Sequence, residues 1–180
     1  MSTRTLVLSA LFTALLCALA IVPPIPMPLV PVPLTLQTLV VMLAGLIIGP
    51  RAAGLSVLLY VVLAAIGFPV LPGARGGLAV LFGPTGGFLL GMIPGAMVTG
   101  WLATGDTTTA GTRFAIVRNI MAALAGGLVV VYLVGVPWLS IVTGMSLAKA
   151  LNVIVVFLPG DFIKAVVAAL LAQRVRRFLV

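Results

Sequence analysis

Of the 180 residues, 63% are hydrophobic and only 7% are charged, with a mean hydropathy of +1.39, which leaves too few polar side chains to cover a water-soluble globule and assigns the chain to a lipid bilayer. Ten Lys and Arg against two Asp give a formal charge of +8, but these basic residues punctuate apolar runs instead of clustering among aromatics, so no nucleic-acid partner is expected. The absence of His and the single Cys17 exclude zinc sites, disulfides and Cys/His nucleophilic dyads, and no cofactor is expected.

A membrane crossing needs about 20 apolar residues, and Pro, Gly and charges mark its ends. The first span runs from about Arg4 to Ile21 and stops at Pro23-Pro24. It reads as a membrane helix and not a signal peptide, because the rest of the chain is equally hydrophobic. It carries Ala10, Ala14 and Ala18 at four-residue spacing, a small-residue ridge suited to close helix approach, either against the chain's own helices or against a partner protein. A proline-rich link with Pro26, Pro28, Pro31 and Pro33 follows, expected to be extended.

The second span covers about Leu34 to Ile48, the third about Arg51 to Ile66, joined by Gly49-Pro50. Thr35, Gln37 and Thr38 stand at the outer start of the second span, where they either cap the helix or face a ligand. A glycine-rich connection from Gly67 to Gly83 holds Arg75, within Pro72-Gly73-Ala74-Arg75-Gly76-Gly77; its glycines permit close backbone approach and arginine suits a carboxylate. The fourth span runs from Pro84 to about Trp101, and Leu102 to Thr112 is the one conventionally polar loop, with Asp106. The fifth is expected from Arg113 to about Val134. A short helix over about Ser146 to Leu158, a break at Pro159-Gly160 and a last span over about Gly160 to Arg176 complete the chain.

The fold expected is thus an all-α integral membrane protein, one domain over residues 1–180, with six transmembrane helices and a short extra or broken helix before the last. Arg4, Arg51, Arg113, Arg118, Arg174, Arg176 and Arg177 fall at one side and Arg75 at the other; the positive-inside bias makes both termini cytoplasmic. Trp101, Tyr132 and Trp138 fall near span ends, where amphipathic rings sit.

One of the two acids, Asp161, lies in Phe157-Leu158-Pro159-Gly160-Asp161-Phe162-Ile163-Lys164. A charge at bilayer depth costs about 2.5–3.5 kcal/mol on insertion scales, so it is kept where it meets a partner, a cavity or a ligand. Three residues apart on a helix, Asp161 and Lys164 share a face. Helix capping by Asp161, or mutual neutralisation without a ligand, is the plain alternative. Gln37 and Arg75 fall at the same depth, so three distant segments converge on one outward-facing pocket. Asn119, Asn152 and Lys149 are weaker candidates.

These motifs, Pro31-Val32-Pro33-Leu34-Thr35-Leu36-Gln37-Thr38-Leu39, Met42-Leu43-Ala44-Gly45, Gly49-Pro50-Arg51, Gly83-Pro84-Thr85-Gly86-Gly87-Phe88 and Leu158-Pro159-Gly160-Asp161-Phe162-Ile163-Lys164, resemble in order and content the BioY family, the biotin-binding S components of energy-coupling factor transporters. The resemblance implies six membrane helices, capture of biotin from outside, and a family acid and lysine falling on Asp161 and Lys164. It further implies that Ala10, Ala14 and Ala18 dock onto a transmembrane coupling subunit served by two cytoplasmic ATPase subunits; the chain itself carries no ATPase motif. The expected ligand-binding set is Asp161, Lys164, Arg75, Gln37, Thr38, Gly76 and Gly77, with Asp161 accepting from the ureido N–H groups, Arg75 or loop amides holding the carboxylate, and Val80 and Phe82 against the apolar middle. An S component for another small vitamin or anion, a ligand-free assembly subunit and a membrane enzyme are the alternatives; the residues leave open whether the chain works alone, as a homo-oligomer or only with coupling subunits.

Overall fold

A computed structural model of the chain describes residues 3–27, 31–103 and 113–179. Helix α1 (Thr3–Ala18) continues as a 3-10 turn (Leu19–Ile21); α2 (Gln37–Ile48), α3 (Pro50–Ala65), a single turn α4 (Leu78–Leu81) and α5 (Gly86–Ala103) follow. Helix α6 (Arg113–Leu124) runs through a π-helical segment (Ala125–Val130) into α7 (Val131–Thr143), and α8 (Leu147–Val155) precedes α9 (Leu158–Leu179). Among the described residues there is no β-strand, only two isolated bridges, Ile25 with Leu34 and Leu71 with Arg75. Pro28 and Asp106 lie outside the described residues.

Three of these helical runs are long and apolar enough to cross a bilayer: Thr3–Ile21, Gly86–Ala103 and Arg113–Thr143. The pair α8 and α9, bent by 54°, makes a fourth if taken as one broken span, and α2 and α3 are shorter apolar helices. At 12 residues, α2 covers about 18 Å of a hydrocarbon core about 30 Å thick. The second span was expected from Leu34, but Pro31 and Pro33 flank a stretch whose Leu34 pairs its backbone with Ile25, N–H to O at 3.0 Å in both directions. That pairing keeps Leu34 out of the helix, which starts only at Gln37.

Two further boundaries differ from expectation. The fifth run extends past Val134 to Thr143, because Gly135 and Pro137 lie inside helix α7 instead of ending it; a membrane helix tolerates both when neighbours satisfy the freed backbone. The break before the last helix falls at Val156-Phe157, not at Pro159-Gly160. Pro159 sits in the first turn of α9, where its missing N–H has no helical acceptor to lose.

Helix α5 is the hub, packed against α2, α3, α6 and α7. Small residues make this possible: a Cβ on Gly95 would come within 2.7 Å of the Gly126 carbonyl, and one on Gly126 within 2.3 Å of the Gly95 carbonyl, so the two backbones touch directly. On the other flank α1 is fixed to α3 by hydroxyls. Thr13 Oγ1 donates to Ser56 O at 3.0 Å and Ser9 Oγ to Ala52 O at 3.3 Å. Ser9, Thr13 and Leu16 therefore face inward, while Ala10, Ala14 and Ala18 are exposed. The alanine ridge does not pack on the chain's own helices.

Candidate functional site

Asp161 is the fourth residue of α9, and its backbone N–H donates to Phe157 O at 3.0 Å. Its carboxylate therefore does not cap the helix. It is turned into the bundle, 3% exposed, beside Lys164 at 8%. Lys164 Nζ stands 2.8 Å from Asp161 Oδ1. Thr38, in the first turn of α2, joins them: its hydroxyl donates to Asp161 Oδ1 at 3.3 Å and accepts from Lys164 Nζ at 3.1 Å. Tyr132 on α7 donates its hydroxyl to Asp161 Oδ2, and its ring meets Phe88 edge to face at 6.0 Å.

These bonds leave capacity unused. A carboxylate offers about four lone-pair sites and an ammonium three protons; Asp161 accepts three bonds and Lys164 donates two. The cluster can thus take one more donor at the acid and one more acceptor at the base. It opens on a cavity walled by Val32, Pro33, Thr35, Phe88 and Met92.

The same five residues wall a second lobe, lined also by Gln37, Leu71, Arg75, Val80 and Thr85. The two lobes therefore adjoin along a shared wall, with room for a water-sized sphere over about 60 Å³ in the Arg75 lobe and about 70 Å³ in the Asp161 lobe. A water needs about 10–15 Å³ by this measure, so each lobe holds several. Gln37, 2% exposed, lies beside the Tyr60 hydroxyl, and its Nε2 has no partner among the described residues.

Arg75 reaches the cavity through a tight turn. Leu71 and Arg75 exchange backbone hydrogen bonds at 2.9 and 3.2 Å, and Gly73 and Ala74 take positive φ of 76° and 53°. Arg75 Nε is held by Pro72 O at 3.0 Å, which leaves the two Nη groups unengaged by that bond on an exposed side chain that lines the lobe.

Gly76 and Gly77 line neither lobe. A Cβ on Gly76 would come 2.2 Å from Phe68 O, and Gly77 sits at φ 94° with its N–H on Ala64 O at 2.7 Å; both shape the loop that presents Arg75. Val80 lines the cavity, whereas Phe82 is 67% exposed and Phe88 fills the position expected of it. Asn152 and Lys149 are exposed on α8, and Asn119 is buried on α6. Sequence reasoning missed Tyr132, placing it as an interfacial ring; the available signal was a hydroxyl in an apolar run, which needs a partner when buried.

The BioY family model matches residues 1–180. The chain is 47% identical over 178 residues to the biotin transporter BioY of Rhizobium etli, covering 97% of this chain and 94% of that one. It is 41% identical over 184 residues to the biotin transporter BioY of Rhodobacter capsulatus, covering 97% and 94%. In three dimensions it superposes on a crystal structure of the S-component for biotin from an ECF-type ABC transporter with a TM-score of 0.89, at 33% identity and covering 98% of this chain and 95% of that one.

Proposed function

The chain belongs to the BioY family, and on that premise we propose that it is the biotin-binding S component of an energy-coupling factor transporter, a transport subunit and not an enzyme. It captures biotin at the outer face of the cell membrane and delivers it inward with a transmembrane coupling subunit and two ATPase subunits, with both termini cytoplasmic.

The observation that carries this reading is the pair of adjoining lobes, walled by five shared residues, with the Asp161–Lys164 cluster in one and Arg75 in the other. Biotin is polar at both ends and apolar between. One ureido N–H suits the free lone pair of Asp161, and the ureido carbonyl suits the third proton of Lys164. The thioether ring then lies among Phe88, Met92, Val32 and Pro33, and the tail carboxylate reaches the Arg75 Nη groups, which suit it in fork geometry. Gln37 Nε2 supplies a further donor between the two ends. The exposure of Ala10, Ala14 and Ala18 supports docking of a coupling subunit along α1, since small side chains let a second helix approach closely; the same face would serve a homo-oligomer.

Equilibrium binding of biotin to the purified chain in detergent, with dethiobiotin and lipoate as competitors, tests the reading. Dethiobiotin keeps the ureido ring and carboxylate and competes well; lipoate lacks the ureido group and competes poorly. Equal competition by lipoate would remove the role assigned to Asp161 and Lys164.

A further inference from the structure

At the end of the bundle remote from Asp161, α5 finishes, α6 begins and α9 finishes, and two arginines meet there. Arg118 on α6 is half-buried; its Nη2 makes one long bond to Ala103 O at 3.5 Å, and its Nε is buried with no partner among the described residues. Arg176 on α9 is also half-buried, and α6 packs on α9, bringing the two guanidiniums close enough to repel each other. The nearest described carboxylate side chain is Asp161, fifteen residues and about 22 Å back along α9. Two like charges partly withdrawn from water, one with an unmatched donor and neither facing a carboxylate among the described residues, call for a counter-charge.

We propose that Arg118 and Arg176 form a binding site for one phosphate group, of the kind an anionic lipid headgroup brings to the cytoplasmic leaflet. Guanidinium forks take phosphate oxygens in pairs, and basic pockets between membrane helices on that side are where headgroups dock. The site is independent of the outward cavity.

The test is native mass spectrometry and thermal unfolding of the full chain in phosphatidylcholine nanodiscs, with and without phosphatidylglycerol, for the parent and for Arg118→Gln, Arg176→Gln and Arg174→Gln. The expected result is one retained phosphatidylglycerol and a raised Tm in the parent, with affinity falling about fivefold for each of the first two variants, about 1 kcal/mol per arginine, and hardly at all for the exposed Arg174. A detergent arm with millimolar inorganic phosphate separates the sources: a Tm rise there, lost in Arg118→Gln, assigns the site to free phosphate, and no rise assigns it to lipid. Should Arg118→Gln fail to fold, Arg118→Lys, which keeps the charge and loses the fork, reads the same loss in smaller measure. Equal loss in Arg174→Gln, no anion effect in either arm, or phosphatidylglycerol retention that rises in Asp106→Asn would overturn the site; the last would assign Arg118 to that acid.

Discussion

Tyr132 donates its hydroxyl to Asp161 from a helix that begins 27 residues earlier in the chain than α9. The acid that anchors the cavity is therefore fixed from both sides, by Lys164 and Thr38 on one oxygen and by Tyr132 on the other.

Replacing Tyr132 by Phe keeps the ring against Phe88 and removes that bond. A hydrogen bond to a charged group contributes about 1.5–3 kcal/mol, so biotin affinity should fall by tenfold or more with little loss of fold. Isothermal titration of Tyr132→Phe against the parent measures it; an unchanged Kd would show that the Asp161 orientation does not depend on this hydroxyl.

Asp161 and Lys164 separate structural from binding roles. Removing one member of a buried pair leaves an uncompensated charge and costs about 3–5 kcal/mol. Asp161→Asn and Lys164→Ala should each lower Tm sharply, and the double variant Asp161→Asn/Lys164→Gln should recover most of the stability while binding no biotin. Recovery of binding in the double variant would assign recognition elsewhere in the cavity.

Gly135 on α7 is where the helix touches the cavity wall. A Cβ there would stand 2.3 Å from Phe88 Cδ1, and Phe88 lines both lobes. Gly135→Ala should destabilise by about 1–3 kcal/mol through overpacking and push the ring into the cavity, weakening biotin binding. A thermal melt and a titration on the same sample report the two effects.

Ala14 faces away from the bundle, so Ala14→Trp should leave biotin binding intact and abolish co-purification with a coupling subunit. If the complex survives that bulk, the ridge on α1 is not the docking face.

Much of this site was legible before any coordinates. Asp161 and Lys164 stood out because ionised groups in lipid are costly, and Thr38 and Gln37 because they open an apolar run. Tyr132 was hidden because an aromatic near a span end has an ordinary interfacial explanation, and nothing local announces a partner 29 residues away. The proline signals misled in both directions. Pro137 lies inside α7 and Pro159 in the first turn of α9, and whether a proline ends a helix depends on position and on neighbours that the local pattern does not contain. Gly76 and Gly77 were expected among the ligand contacts; neither lines the two lobes, and the requirement visible at them is steric and conformational.

The proline-rich link gives the cavity a wall of particular chemistry. Pro33 has no N–H, and that of Leu34 is engaged by Ile25; this side lines the lobes with Val32, Pro33 and, as its one polar side chain, Thr35. The donors left for a guest at the two ends are the third proton of Lys164 and the Nη groups of Arg75, because the hydroxyl protons of Thr38 and Tyr132 are already given to Asp161. The two ends are accordingly unlike, and a molecule of the right outline entering end for end would set its carboxylate against that of Asp161.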